Sequence, residues 1–578
     1  MIILRRDSFV FFIGLTLLSL VFLNLPNPLP ANTPQFESVP GNAGLTYRGT
    51  VDRDPAPLAP DLIDNEGVYV ADVNNNDWPD VLVVGDSRPV LFLNQEGRFE
   101  RKKSFPKVKQ KVNAAAFVDY NDDGWKDLVL VPQSGSIILL DNQRGEFVTD
   151  HRLAGPILRA GVGISVGDYN RDGCPDLFIL QFNDLKEQQF KQRSYMRLGT
   201  QAEERVRDNG SRNYLLQGNC ETFHPKQSPE FDRDHWSLAA SFVDVNGDGY
   251  QDLYVTNDYY RDSLYVSKNG EEFRHQYLGE YSNRNGMASQ LMDVNHDGRP
   301  DLYVSNIFMD DSNPIYSDDV RFSDDKTRGH NLLINTGGDS PWFSDFASDS
   351  GVREGGWGWA VTNSDIDNDF DFELVQARQN FLNSDAAYVR YDLSDYDIAK
   401  FIGKYSGNRS IPPQVRDSSS VYNQFFEWLG YPGLWDYRQG DFLPISAPEH
   451  GLERMDARGV TEIDYDRDGD MDLLFAQYDG PFVLFENVLS KRQEELSWIK
   501  FEVEAAHQGG SIKLSNEGET RYLPFSSRTD FMSQETPFYH VGLSSKDPLD
   551  RIEVVWNDGT SRSFSEVEPG QLLSVQKP

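Results

Sequence analysis

The feature that most constrains this chain is an acidic ten-residue loop that recurs seven times, each time between short apolar runs. Five copies read D-x-[DN]-x-D-G-x-x-D-L. Their acidic and amide positions are Asp119, Asn121, Asp123 and Asp127; Asp168, Asn170, Asp172 and Asp176; Asp244, Asn246, Asp248 and Asp252; Asp293, Asn295, Asp297 and Asp301; and Asp464, Asp466, Asp468 and Asp472. Two copies keep the spacing without the glycine. Asp72, Asn74, Asn76 and Asp80 have Asp77 in its place, and Asp365, Asp367, Asp369 and Glu373 have Phe370.

The spacing has a chemical reading. Side chains at the first, third and fifth positions of a tight loop converge, and glycine at the sixth allows the left-handed turn that wraps the chain back. A carbonyl at the seventh position and a carboxylate at the ninth complete the roughly six to eight oxygen ligands that Ca²⁺ takes. All seven loops are therefore expected to hold calcium through the residues named above. The same ligand order opens an EF-hand, but helices do not flank these loops. Phe117-Val118 before and Leu128-Val129-Leu130-Val131 after are the β-branched, apolar signature of strands.

Each unit carries two more strands. A third reads Val90–Asn94, Ile137–Leu140, Tyr214–Leu216, Leu264–Val266, Leu332–Ile334 or Val483–Phe485, and a fourth begins at a phenylalanine such as Phe99, Phe147, Phe223 or Phe273. Four-stranded units repeated radially make a propeller. The unit around Asp464 lacks a fourth strand, and Phe36–Val39 is a strand without a unit. Pairing the two closes the ring and hides a sheet edge.

These loops resemble the FG-GAP or VCBS repeats of integrin α-like propellers over roughly residues 35–490. Gly355-Gly-Trp-Gly-Trp-Ala360 and Arg458-Gly-Val460 resemble the cartilage acidic protein family within that group. After Asn487 the acidic loops stop. Ser533-Gln534, His540-Val-Gly-Leu543 and Val555-Trp-Asn-Asp-Gly559 resemble the ASPIC/UnbV domain that follows such propellers, although Asn557-Asp558 and Asp530-Phe531 depart from its usual text. The resemblance implies an all-β chain: a seven-bladed β-propeller over 35–490, then a small β-domain over 491–578. Strands are expected at Trp498–Phe501, Gly509–Leu514, Phe538–Leu543 and from Ile552 onward.

Arg5 and Arg6 precede an uncharged apolar stretch from Ser8 to Leu25, followed by Pro26, Pro28, Pro30 and Pro34. Residues 1–34 read as a membrane anchor or a cleaved signal with a stiff spacer, and either way the remainder is exported. Cys174 and Cys220 are the two cysteines, which excludes a Cys-based zinc site and leaves open one disulfide or two thiols. With 91 Asp+Glu against 55 Lys+Arg, a formal net charge of −36, the chain lacks the basic surface that nucleic-acid binding needs.

Gly163-Ile-Ser-Val-Gly167 matches G-x-S-x-G, but it reads as a strand rather than the strand-to-helix turn of a nucleophile elbow. No acid-base pair with a nucleophile emerges, so the sequence assigns no catalytic residue. Three insertions, roughly 181–212, 307–329 and 376–440, follow second strands and should gather on the face opposite the calcium loops. Long loops on a rigid scaffold carry function, and Trp428, Tyr431, Trp435 and Tyr437 in the third are candidate contacts for a protein or glycan. The expected function is an extracytoplasmic calcium-binding scaffold for such a ligand. A polysaccharide-acting enzyme or an envelope assembly factor are the alternatives.

Overall fold

The computed structural model describes residues 34–48, 66–182, 211–306, 329–378 and 433–578, apart from short stretches inside those ranges. It is built almost wholly of β-strands. Seven sheets of the repeat contain four strands each in antiparallel order, and one of them is extended further. Their innermost strands are Gly67–Ala71, Val112–Val118, Gly161–Gly167, Ser237–Val243, Ala288–Met292, Gly358–Ser364 and Ala457–Ile463. Each touches the next in chain order, and the last touches the first, so the sheets close into a ring of seven blades.

Closure runs as the sequence predicts. Phe36–Ser38 pairs antiparallel with Val483–Asn487, Phe36 opposite Asn487 and Ser38 opposite Phe485, and completes blade 7. Asn42 reinforces the seam: its side chain donates to the Phe482 carbonyl (2.6 Å) and accepts from the Leu484 N–H (3.2 Å).

The inner strands crowd near the axis, which explains their small residues. A Cβ on Gly163 would sit 2.6 Å from the Leu238 carbonyl oxygen of the next blade. The G-x-S-x-G serine, Ser165, is buried within that strand. Second strands such as Asp127–Pro132 and Asp252–Asn257 are buried along their whole length because they pack between neighbouring blades. Each fully buried Leu or Val there stabilises the ring by about 1.5–3 kcal/mol.

The sequence leaves the cysteines open; in the structure Cys174 and Cys220 form a disulfide that ties the acidic loop of blade 3 to its third-to-fourth strand turn. The third insertion is shorter than the sequence suggests. Glu373–Arg378 is a second strand, and Gly433–Arg438 and Asp441–Pro444 are the third and fourth strands of blade 6. Trp435 pairs with Leu374 and Tyr437 with Phe442, so both belong to the blade rather than to a loop. Trp428, Tyr431 and the body of each insertion lie outside the described residues, as do residues 1–33 with the apolar stretch. Among the described residues no helix is long and apolar enough to cross a membrane.

The C-terminal residues form two further sheets. One orders Phe538–Gly542, Trp498–Val503 and Gln571–Val575; the other orders Glu519–Phe525, Gly510–Asn516, Leu549–Trp556 and Ser561–Val567. Ile499, Phe501, Ile512, Ile552, Val554 and Trp556 share a core distinct from those of the blades.

Candidate metal loops and the domain that caps them

One hydrogen-bond pattern recurs in the seven loops. The first-position Asp accepts the N–H of the fifth residue on Oδ1, as from Asp172 to Asp168 (3.1 Å) and Asp369 to Asp365 (3.0 Å). In loops 1 to 6 its Oδ2 accepts the sixth N–H: Asp77, Gly124, Gly173, Gly249, Gly298 and Phe370, at 2.6–3.0 Å. Asp77 and Phe370 hold the left-handed conformation of the glycines, with φ of 66° and 81° against 83° at Gly124. The loop geometry thus survives the loss of glycine at some backbone strain.

The ninth-position carboxylate is a structural clamp as well as a candidate ligand. In Asp80, Asp127, Asp176, Asp252, Asp301 and Asp472, one oxygen takes the N–H of the second loop residue and the other an N–H at the end of the third strand, the latter at 2.7–2.8 Å. Glu373 makes the first of these bonds, to Ile366 (2.9 Å), and its Oε1 is buried without a hydrogen-bond partner. A recurring asparagine that the sequence reading passed over completes the frame. Asn94, Asn142, Asn335 and Asn487 end third strands, and each donates to the second-position carbonyl of the preceding blade's loop, at Tyr465, Val73, Val245 and Ile366 (2.7–2.9 Å). Their repetition at one register position is the signal that could have revealed them.

Burial sets the electrostatics. Desolvation pushes Asp168 and Asp293 up to about 6, Asp80 and Asp301 to about 7, and Asp127 and Asp252 to about 8, with neighbouring carboxylates adding to the rise. Asp365 and Glu373 are pushed well above the usual carboxylate range by the same cause. Clustered buried carboxylates ionise together only beside a cation. Among the described residues three groupings are close enough to hold one: Asp365, Asp367 and Glu373; Asp464, Asp466 and Asp472; and Asp466, Asp468 and Glu486. All lie in blades 6 and 7, whose loops carry Asp rather than Asn at the third position. The hard oxygen donors of the first, with the unpartnered Glu373 Oε1, suit Ca²⁺, whereas in the second Asp464 is already paired with Lys500.

The C-terminal sheets sit on the face that bears these loops. His507 Nε2 lies 3.3 Å from the Gly173 carbonyl, and Gln251 donates to the His507 carbonyl (3.2 Å). Arg521 meets His296 of loop 5 and pairs with Asp371 of loop 6 (3.0 Å). The Gly542 N–H donates to Asp365 Oδ2 (2.7 Å), His540 Nε2 meets Asn368 Oδ1 (2.6 Å), and Lys500 pairs with Asp464. Loops 3 to 7 are all touched.

Comparison with known families decides the identity of both parts. The FG-GAP-like repeat profile matches residues 72–130, 119–179 and 244–304, and the ASPIC and UnbV profile matches residues 504–578. The chain carries FG-GAP-like repeats and an ASPIC/UnbV domain. No curated protein matches the sequence. Among solved structures, an Agrocybe aegerita lectin that recognises non-reducing terminal N-acetylglucosamine aligns at 12% identity and TM-score 0.36, over 66% of this chain and 80% of the lectin. The WD40 domain of Toxoplasma gondii coronin aligns at 10% identity and TM-score 0.39, over 80% of this chain and 88% of the domain. Saccharomyces cerevisiae Sqt1 aligns at 10% and 0.37, over 74% and 96%. At such values these likenesses carry no argument, and the seven-bladed ring rests on its own strand pairing.

The ASPIC/UnbV domain also fills the propeller's axis. Between Phe525 and Phe538 it extends a hairpin, Thr529–Asp530 with Ser533–Gln534, into the channel. Ser533 and Gln534 add in parallel to the inner strand of blade 1, opposite Val68 and Tyr69. Asp530 accepts the Ser289 and Val361 N–H groups of blades 5 and 6 (3.1 and 3.3 Å), and Gln534 both accepts from and donates to the Phe117 backbone of blade 2 (2.7 and 3.1 Å). Ser527 donates to the Val166 carbonyl of blade 3 (2.7 Å). Phe531 and Met532 are fully buried, and Arg528 pairs with Glu535 and, at 2.7 Å, with Glu462 of blade 7. Inner strands have one unpaired edge facing the axis. The hairpin and its flank satisfy part of those edges, in blades 1, 2, 3, 5 and 6, which would otherwise need water. Burial pushes Asp530 up to about 8 and Glu535 to about 7.

Proposed function

We propose that this chain is an extracytoplasmic, calcium-stiffened scaffold that presents one face of its propeller to a protein or glycan ligand. One observation carries the reading: the ASPIC/UnbV domain covers loops 3 to 7 and its hairpin fills the channel. Ligand contact is thereby directed to the opposite face. The three insertions leave the blades there, after Gln181, Ser305 and Arg378, because antiparallel strands send first-to-second and second-to-third connections to opposite faces. Trp428 and Tyr431 are the candidate anchors within the third insertion, aromatic residues being those that most often dominate interfaces. Calcium in the acidic loops acts indirectly, by holding the blades that carry the insertions.

The test is a binding screen of glycans and surface proteins against the chain, run with calcium and with chelator. A variant with residues 381–430 replaced by a Gly-Ser linker should keep its melting temperature and lose binding. Retention of full binding by that folded variant, and by Trp428→Ala, would remove the insertion face from consideration.

A further inference from the structure

We propose that Lys500 supplies the positive charge of the seventh loop, so that this loop takes no calcium at Asp464 while the loops of the other blades do. The inference rests on the calcium reading of those other loops. Lys500 lies mid-strand in Trp498–Val503, flanked by His540 and Leu572 on the neighbouring strands, so its backbone is held from both sides. That strand is seated on loop 7 itself. Gly469 has a φ of 95°, and a Cβ there would fall 2.0 Å from Trp498 Nε1, so the indole closes directly over the turn. The Lys500 ammonium lies 4.9 Å from the Trp498 ring centroid and reaches Asp464 Oδ2, with the two side chains 10% and 7% exposed. In loops 1 to 6 the same Oδ2 accepts the sixth-position N–H. Among the described residues no other first-position aspartate makes an ion pair.

Protein donors reach other carboxylates of loop 7, although Asp466 Oδ1 and Asp470 Oδ1 are buried without a hydrogen-bond partner. The short helix Leu489–Arg492 turns its start toward the loop: Ser490 Oγ donates to Asp468, the Ser490 N–H to Asp470 Oδ2 (2.7 Å), and Lys491 pairs with Glu486 (2.5 Å). In loop 6 Asp365, Asp367 and Glu373 converge as Asp464, Asp466 and Asp472 do in loop 7, but all three are buried, and among the described residues no Lys or Arg pairs with Asp365 as Lys500 does with Asp464. A buried charge left without its counter-charge is strongly destabilising. The C-terminal domain therefore brings a tethered cation to Asp464 while it caps the neighbouring loops, and docking and the pairing of Asp464 become one event.

Bound calcium per full chain, measured by elemental analysis after equilibrium dialysis, tests this. Asp168→Asn should lose one calcium relative to the unmodified chain, and Asp464→Asn should lose none. Lys500→Met should gain one and melt lower in chelator. The neutral pair Asp464→Asn with Lys500→Met should return to the original count, which keeps the test decisive if Lys500→Met alone folds poorly. Loss of one calcium from both Asp168→Asn and Asp464→Asn overturns the proposal and leaves the calcium reading intact. No loss from Asp168→Asn overturns the calcium reading, and the proposal falls with it.

Discussion

Replacing Gln534 with alanine measures how far the axial hairpin holds the molecule together. Its amide is buried, accepts the Phe117 N–H at 2.7 Å, and donates to the Phe117 carbonyl at 3.1 Å and the Ser527 carbonyl at 3.3 Å. Alanine removes the partner of one buried N–H, one buried carbonyl and one half-buried carbonyl. Leaving a buried polar group unsatisfied costs about 1–3 kcal/mol. Phe117 contributes two such groups, and Ser527 accepts at longer range. Water entering the space left by the amide would recover part of the loss. The expected destabilisation is about 2–4 kcal/mol. Urea titration at pH 7 in saturating calcium should show it as a lower midpoint with an unchanged slope, since the surface exposed on unfolding stays the same. Gln95→Ala, at an exposed position, serves as control and should fall within about 0.5 kcal/mol of the parent. A Gln534→Ala change no larger than the control would mean that the hairpin merely occupies the channel, and the argument from unpaired inner edges would be wrong.

Three further outcomes follow from the same structure. In chelator, stability should fall as pH rises from about 4 to about 8: Asp80, Asp127, Asp252 and Asp301 are raised to about 7 or 8, so their contribution is full below the ordinary carboxylate value and is lost as pH rises through those values. Calcium should flatten that dependence; a metal-free melting temperature that is level across this range would refute it. Deleting residues 35–48 should expose the Val483–Asn487 edge of blade 7 and yield oligomers by light scattering, whereas deleting residues 1–33 should leave a dispersed protein. Replacing both Cys174 and Cys220 with serine should lower stability by up to about 4 kcal/mol, given their separation of 46 residues, and an unchanged unfolding midpoint would contradict that.

The repeating parts of this molecule were legible because repetition averages out local ambiguity. One D-x-N-x-D-G is an ordinary turn, but seven in register with flanking apolar runs define a strand count, and the count itself revealed the orphan at Phe36 and the vacancy at blade 7. What occurs once was not legible. Thr529–Gln534 holds two strands of two residues each, too short for any alternation, and their partners are Val68, Phe117, Ser289 and Val361, the nearest of them 169 positions away. Lys500 carries no signal of its own in the sequence, because its partner Asp464 lies 36 positions away in another domain. The extent of the third insertion was misjudged for another reason. Gly433–Arg438 follows a Gly- and Pro-containing aromatic stretch and lacks the aliphatic run of the other third strands, so it reads as loop. Asn94, Asn142, Asn335 and Asn487 recur at one register position, a weaker pattern than the acidic loops because other blades place Gly218 or Ser267 there.

The seam between Phe36–Ser38 and Val483–Asn487 fixes the order in which the molecule can mature. The Asn42 side chain and the Leu484 amide that it holds are 442 positions apart, so a chain emerging N-terminus first carries its closing strand unpaired while six blades are made. Contacts of such span form slowly, and an unfinished ring offers strand edges to its neighbours throughout. The hairpin comes later still, since Ser533 and Gln534 lie beyond the seam and add to the first blade only after the last has arrived. Assembly is therefore a sequence of two locks, first the ring and then the bolt through it. A chain stopped before residue 487 is left with neither, and is a natural substrate for chaperones and proteases.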